Sequence, residues 1–343
     1  MRGYNPETFP IRHFSQIDII KHPTMDMIDK SKIKPIDMKE YKFVFSEMSG
    51  QQKKIYQLNE ANVKDSSRDI QNKIQLSNIV FPSQEVDTQM SKGKTGFLQN
   101  FNVTEGKQLK VSYIDPKNEF LSPTHLSKYS SKIANIMANV SSCDGLVIIY
   151  SKYLYSGLIP CAVALEHMGF TKYNNKSILM KNKKTKETGA SYMIITADDS
   201  LSGNNNNELM KFNEESNKDG KIIKVALINE IASEGVTFKN VREIHVLEPW
   251  YNMNKIEQII GRGVRYFSHN ALPKEERNVS IYLHINSISD QNVETIDYRR
   301  YRFAVKKQDK INQVENVLKE NALDCVLNQQ PPINIKTEII DSK

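Results

Sequence analysis

From residue 145 onward the chain alternates short apolar runs with helix-forming segments, and this alternation restricts the fold more than any other feature of its 343 residues. "GLVIIYS" (145–151) is an apolar run of strand length, the pattern of a strand covered on both faces, and "SYMIIT", "KIIKVALI", "EIHVLE" and "VSIYLHI" read as the later strands. Between them, "GLIPCAVALEHMGF" places Leu158, Val163, Leu165 and Met168 on a helix that stops at Gly169. "MNKIEQIIGRGVR" reads as a second helix, and the asparagine-rich "SGNNNNELMK" as a loop opening a third. Five strands joined by crossover helices make an α/β fold, one doubly wound parallel sheet over residues 123–288.

The flanks differ from this block. Pro6, Pro10, Pro23 and Pro35 break the start of residues 1–122, where "KFVFSEMSGQQKKIYQL" reads as a strand followed by a helix; this segment does not close a domain by itself. Residues 289–343 read as a helical C-terminal extension with a flexible tail. Its helix, about 294–321, carries Ile311, Val314, Val317, Leu318 and Ala322 as a stripe expected to dock on the core.

No run approaches the roughly 18 apolar residues that a membrane helix needs, so no membrane partner is expected. Cys143, Cys161 and Cys325 are odd in number and dispersed, which fits neither a disulfide framework nor a zinc site and points to a reducing compartment. The histidines lack metal-ligand spacing, and no metal is assigned to the chain's own side chains. A net charge of +7 favours polyanionic partners. The excess gathers in "YRRYRFAVKKQDK" and in "KYNNKSILMKNKKTK" (172–186), each of which reads as a solvated face or as a phosphate-binding patch.

Two phosphate-chemistry signals fail on inspection. "GKT" at 93–95 lacks the glycine that a phosphate loop needs five residues earlier, where Thr88 stands. "YMIITADDS" ends a strand in Asp198 and Asp199, which read as solvated strand-end acids. "KIEQIIGRGVRYFSH" (255–269) is of a different kind. Gln258, Gly261, Arg262 and Arg265 fall at i, i+3, i+4 and i+7, one face of a helix. Two guanidinium forks offered together suit phosphate oxygens, which they bind bidentately without losing charge. Gly261 and Gly263 each cost the helix up to about 1 kcal/mol relative to Ala, which suggests close approach of a backbone or ligand.

These residues carry a resemblance. "QIIGRGVR" resembles motif VI of superfamily 2 helicases, "ASEGVTFKNVREIHVLEPWYN" resembles motif V with the strand after it, and "GLVIIYSKYLYSGLIPCAVALEHMGF" resembles the motif IV region. "RGYNPETFP" and "LKENALDC" are similar to interdomain and C-terminal segments of the helicase-like nucleoside triphosphatases of large nucleocytoplasmic DNA viruses. That group includes poxvirus nucleoside triphosphate phosphohydrolase I and the small subunit of the early transcription factor.

The resemblance implies the second RecA-like lobe of an ATP-dependent translocase or helicase, with a first lobe on another chain or upstream segment. That lobe would carry motifs I and II and hold the Mg2+ of an ATP–Mg2+ substrate; a split gene, a fragment or a decayed paralogue would each account for the arrangement. Carried over residue by residue, Arg265 resembles the arginine finger, Arg262 its companion and Gln258 the γ-phosphate sensor. Glu234, Gly235, Thr237 and Gly261 would line the nucleotide, Thr237 standing where relatives often have an Asp that meets the ribose. Ser151, Lys152, Ser233, Lys183 and Lys184 would meet DNA or RNA. Trp250 reads as a structural plug of the lobe edge or as a base-stacking ring. Viral transcription machinery is an implied partner, and virion and host cytoplasm an implied location. The alternative is a non-catalytic nucleic-acid or transcription-complex binding module.

Overall fold

A computed structural model describes residues 8–341 except 20, 37–40, 60–65, 84–86, 105, 107, 176, 181–188, 203–204, 231–234 and 323–336. Two strands come from the N-terminal part: β1 (Ile11–Gln16) and β2 (Val44–Glu47). Helices α1 (Gly50–Leu58), α2 (Ser67–Asn78) and α3 (Gly93–Leu98) and the antiparallel hairpin β3 (Phe101–Thr104)–β4 (Lys110–Tyr113) follow. "GKT" therefore opens a short helix, and among the described residues no strand leads into it.

The alternating block then delivers α4 (Ser131–Ser142), β5 (Leu146–Tyr150), α5 (Ile159–His167), β6 (Thr171–Lys172), β7 (Ser191–Ile195), α6 (Asn205–Asn213), β8 (Ile223–Ile228), β9 (Val241–Val246), α7 (Met253–Gly263) and β10 (Asn278–Ser287). Helix α8 (Ile296–Glu320) and β11 (Thr337–Asp341) complete the elements. The main sheet has nine strands in the order β11-β1-β10-β9-β5-β8-β7-β6, with β2 also on β10, and every pairing in it is parallel. All five apolar runs form strands, and β5 is buried at every position because helices cover both sheet faces. Ile148, Tyr150, Ile244 and Val246 join the core beneath α6, α7 and α8, whereas Val147, Ile149, Val225 and Leu227 join the core beneath α4 and α5.

Residues 1–122 and 289–343 share these cores. β1 and β2 both pair with β10, and Met48, Ile55 and Leu76 pack with Ile288 and Ile296. The α8 stripe corrects the expectation. Ile296, Tyr298, Tyr301, Ala304 and Val305 are buried, but Val314, Val317 and Leu318 are 61%, 57% and 65% exposed. The aromatic first turns of α8 take up the apolar surface beside the sheet, and the later turns meet no such surface among the described residues.

The arginine-rich start of α8 is not a solvated face either. Arg302 sets its Nε and Nη2 on the two oxygens of Glu294 at 2.8 and 2.7 Å and reaches Asp26 at 2.9 Å, while Arg299 lies 3.6 Å from Asp26. Lys306, Lys307 and Lys310 do face water. No helix among the described residues is long and apolar enough to cross a membrane.

Candidate functional site

The site is built where α7 meets the β8–β9 loop. Asn252 starts α7 by accepting the Lys255 amide at 3.0 Å, and Met253, Ile256, Ile259 and Ile260 bury one stripe against the sheet. At Gly263 a Cβ would stand 3.0 Å from Ile244 Cδ1 and 3.4 Å from Val241 Cβ, so the helix end lies flat on β9 because a side chain is missing there. The helix stops at that residue. Arg265 is thus outside α7, which corrects the expectation of one helical face through i+7: Val264 caps the helix, and Arg265 turns back so that Nε donates to the Gly261 carbonyl at 3.1 Å.

The turn that holds Arg265 is nailed to β9. The Arg265 amide donates to Ser268 Oγ at 3.2 Å, the Ser268 carbonyl accepts the Asn240 amide at 2.9 Å, and His269 Nε2–H donates to the Val241 carbonyl at 2.7 Å. Burial holds the His269 pKa down at about 4, so the ring is neutral, with Nδ1 left to accept from Ser268 Oγ at 2.8 Å. None of these anchors was singled out from the sequence; "SH" after the arginines carried no periodic signal.

The guanidiniums meet the loop before β9. Arg265 Nη1 donates to Thr237 Oγ1 at 2.5 Å, Arg262 Nη1 lies 3.4 Å from the Val236 carbonyl, and the Arg262 carbonyl accepts the Phe238 amide at 3.0 Å. Gly235 adopts φ +80°, a left-handed conformation that favours glycine. A Cβ at Gly235 or at Gly261 would meet nothing within 4 Å, so open space borders the pair on the loop side and on the helix side. Gln258 sits one turn before Arg262 and is exposed. Arg262, Arg265, Thr237, Gly235 and Gly261 are therefore brought together, whereas Ser233 and Glu234 lie outside the described residues.

Of the residues expected to meet nucleic acid, Lys183 and Lys184 also lie outside the described residues, and Ser151 requires correction. Ser151 is fully buried, its Oγ donating to Glu248 Oε2 at 2.9 Å. Glu248, which ends the β9 apolar run, also accepts the Lys152 amide and Asn78 Nδ2, the latter at 2.8 Å. Burial raises the Glu248 pKa, and these donors together with the Lys132 charge oppose the rise. Ser151 thus shapes the strand end, and the neighbouring Lys152 is the exposed residue.

Lys152 Nζ lies 5.1 Å and Lys255 Nζ 5.6 Å from the centre of the Trp250 ring. Trp250 itself is the plug: 9% exposed, it donates Nε1–H to Tyr150 Oη at 2.9 Å. In the basic segment 172–186, Lys172 is buried and bonded to the Leu201 carbonyl. Asp198 accepts from Ser200 Oγ at 2.6 Å, a local turn. Among the described residues no cluster of three or more His, Cys, Asp or Glu side chains could hold a metal.

No family model matches the chain. Curated relatives do. A helicase-named protein, 087L, of Invertebrate iridescent virus 3 is 32% identical over 288 residues, 81% of this chain and 28% of its own length. R563 of Acanthamoeba polyphaga mimivirus, named for an ATP-dependent RNA helicase, is 27% identical over 334 residues, 93% of this chain and 52% of its own. The chain thus spans between about a quarter and about half of these two relatives. Among solved structures, the C-terminal part of the Fun30 ATPase domain covers 90% of this chain and 97% of its own at 11% identity, with a TM-score of 0.47.

Proposed function

Because the chain belongs with the superfamily 2 helicase-like proteins of large DNA viruses, with their RecA-like α/β sheet, we propose that it supplies the second lobe of an ATP-dependent nucleic-acid translocase or helicase. The observation that carries this reading is the clasp of Arg265 and Arg262 on residues 236–238, beside two glycines whose outer sides are open. A γ-phosphate entering that space exchanges the Thr237 hydroxyl for its own oxygens as the Arg265 partner, and Arg262 holds the same phosphate from the last turn of α7. The charge that develops on the transferring phosphoryl group then meets guanidiniums already in place, an effect typically worth about 10³ to 10⁵ in rate. Gln258 reports on the γ-phosphate or on the facing lobe. The first lobe binds the remaining phosphates and the Mg2+ that neutralises them, since the chain offers neither a phosphate loop nor a carboxylate cluster for this among its described residues. Lys152, at the carboxyl end of β5, faces the nucleic acid.

Purified chain mixed with a separately expressed first lobe from a relative is expected to hydrolyse ATP, with neither component active alone. Equal activity in the mixture after Arg265→Ala would refute the finger. A non-catalytic tether, by contrast, predicts nucleic-acid binding that an ATP analogue leaves unchanged, with or without the first lobe.

A further inference from the structure

The carboxyl ends of β5, β8 and β9 meet at the point where the strand order reverses: β8 lies on one side of β5 and β9 on the other. In open α/β sheets this crevice is where ligands bind. Here it is rimmed by Lys152 after β5, Glu230 after β8, and Trp250 and Tyr251 after β9.

The two adjacent rings behave oppositely. Trp250 is anchored and buried, whereas Tyr251, with its ring centre 5.7 Å away, is 54% exposed. An exposed ring on an anchored neighbour loses little freedom when a flat partner covers it. Lys307 of α8 holds its ammonium 5.6 Å from the Tyr251 ring centre, and Lys152 and Lys255 stand over Trp250. Lys152, Lys255, Lys307 and Lys310 outnumber the acids of this region, which are Glu230, 3.5 Å from Lys255, Asp309, and the buried Glu248 that accepts the Lys152 amide.

We propose that Tyr251 is a base-stacking platform for a single-stranded nucleic acid, whose phosphates run between Lys152 at the end of β5 and Lys307 on α8. The proposal rests on the nucleic-acid half of the function argued above and is independent of the arginine pair. A single strand is required because its bases have free faces, whereas a duplex hides them; ringed aromatic platforms with a cationic border are the usual way to hold such strands. The exposed lysines of α8, which the packing of the helix does not use, gain a role as the second wall of the track.

The test is fluorescence anisotropy with the purified chain and labelled oligo-dT, oligo-U and a duplex, each of about 12 nucleotides, within the span that such grooves cover, over a range of salt. Tyr251→Ala is expected to weaken single-strand binding about ten- to a hundredfold while leaving the salt slope unchanged, and Tyr251→Phe to retain it. Lys307→Ala should lower the slope of log affinity against log salt by about 0.7. Tighter binding of dT or of U supports the platform equally and identifies the strand. Equal affinity of wild type and Tyr251→Ala, or duplex bound at least as tightly as single strands, overturns the platform while leaving nucleic-acid binding standing. If the wild-type chain binds none of the three, the platform and the nucleic-acid reading fail together, and ATP hydrolysis with the first lobe still judges the arginines separately.

Discussion

Arg265 and Thr237 stand 28 residues apart in sequence, and the guanidinium of the first donates to the hydroxyl of the second at 2.5 Å. This contact fastens the end of the arginine motif to the loop before β9 and fixes where the Arg265 guanidinium points. Arg265→Ala is expected to lower hydrolysis in the two-lobe assembly about 10³- to 10⁵-fold. Thr237→Val should lower kcat by a smaller factor with little change in KM. Thermal unfolding of both variants should match wild type, since Arg265 is only half-buried. A Thr237→Val enzyme with full kcat would mean that the clasp does not aim the finger.

Lys132 and Asp297 form a fully buried ion pair at 2.9 Å, and Lys132 passes the connection to Asn78 Oδ1 at 2.9 Å and so to Glu248 and the Ser151–Lys152 strand end. Lys132→Met leaves the Asp297 charge with only Ser77 Oγ–H and the Asn286 amide, and should cost about 3–5 kcal/mol. The double variant Lys132→Met/Asp297→Leu should recover much of that loss. Urea unfolding decides the matter, and a single variant within about 1 kcal/mol of wild type contradicts the account.

Two glycines two residues apart should respond with opposite signs. Gly261→Ala, with open space at its Cβ, should stabilise the fold by up to about 1 kcal/mol through helix propensity. Gly263→Ala pushes on Ile244 and Val241 and should destabilise by about 1–3 kcal/mol. If Gly261 borders the nucleotide, its alanine variant should also raise KM for ATP in the assembly. Calorimetry on the two variants gives the first answer, and steady-state kinetics the second.

His269 is held neutral by burial, its pKa pushed down to about 4. In the unfolded chain the same ring titrates near 6.5, so between these values the unfolded state binds the proton and the folded state does not. Stability is therefore intact above about pH 6.5 and falls by up to about 3 kcal/mol as pH drops toward 4. Burial and the neighbouring His245 and Lys132 lower the pKa of His284 as well, which adds in the same direction. Stability curves from pH 7.5 to 4 should flatten in His269→Gln; an unchanged slope would remove this ring from the acid response.

Period and composition alone determined that the chain builds a parallel sheet, because β5 and β7 are nearly unbroken apolar runs that demand cover on both faces, and β8, β9 and β10 follow as strand-length segments with scattered polar residues between helix-forming stretches. The arginine motif was equally readable, since residue type and spacing within one helix are local properties. Three other outcomes needed the tertiary structure. α7 ends at Gly263 because β9 lies directly beneath it, so Arg265 works from a turn. Ser151 is buried because Glu248, 97 residues away, claims its hydroxyl. The apolar stripe of α8 is exposed because, among the described residues, the core that the helix packs on ends near Val305. A periodic pattern reports what a segment could bury, and only the arrangement of its neighbours decides whether a surface is there to receive it.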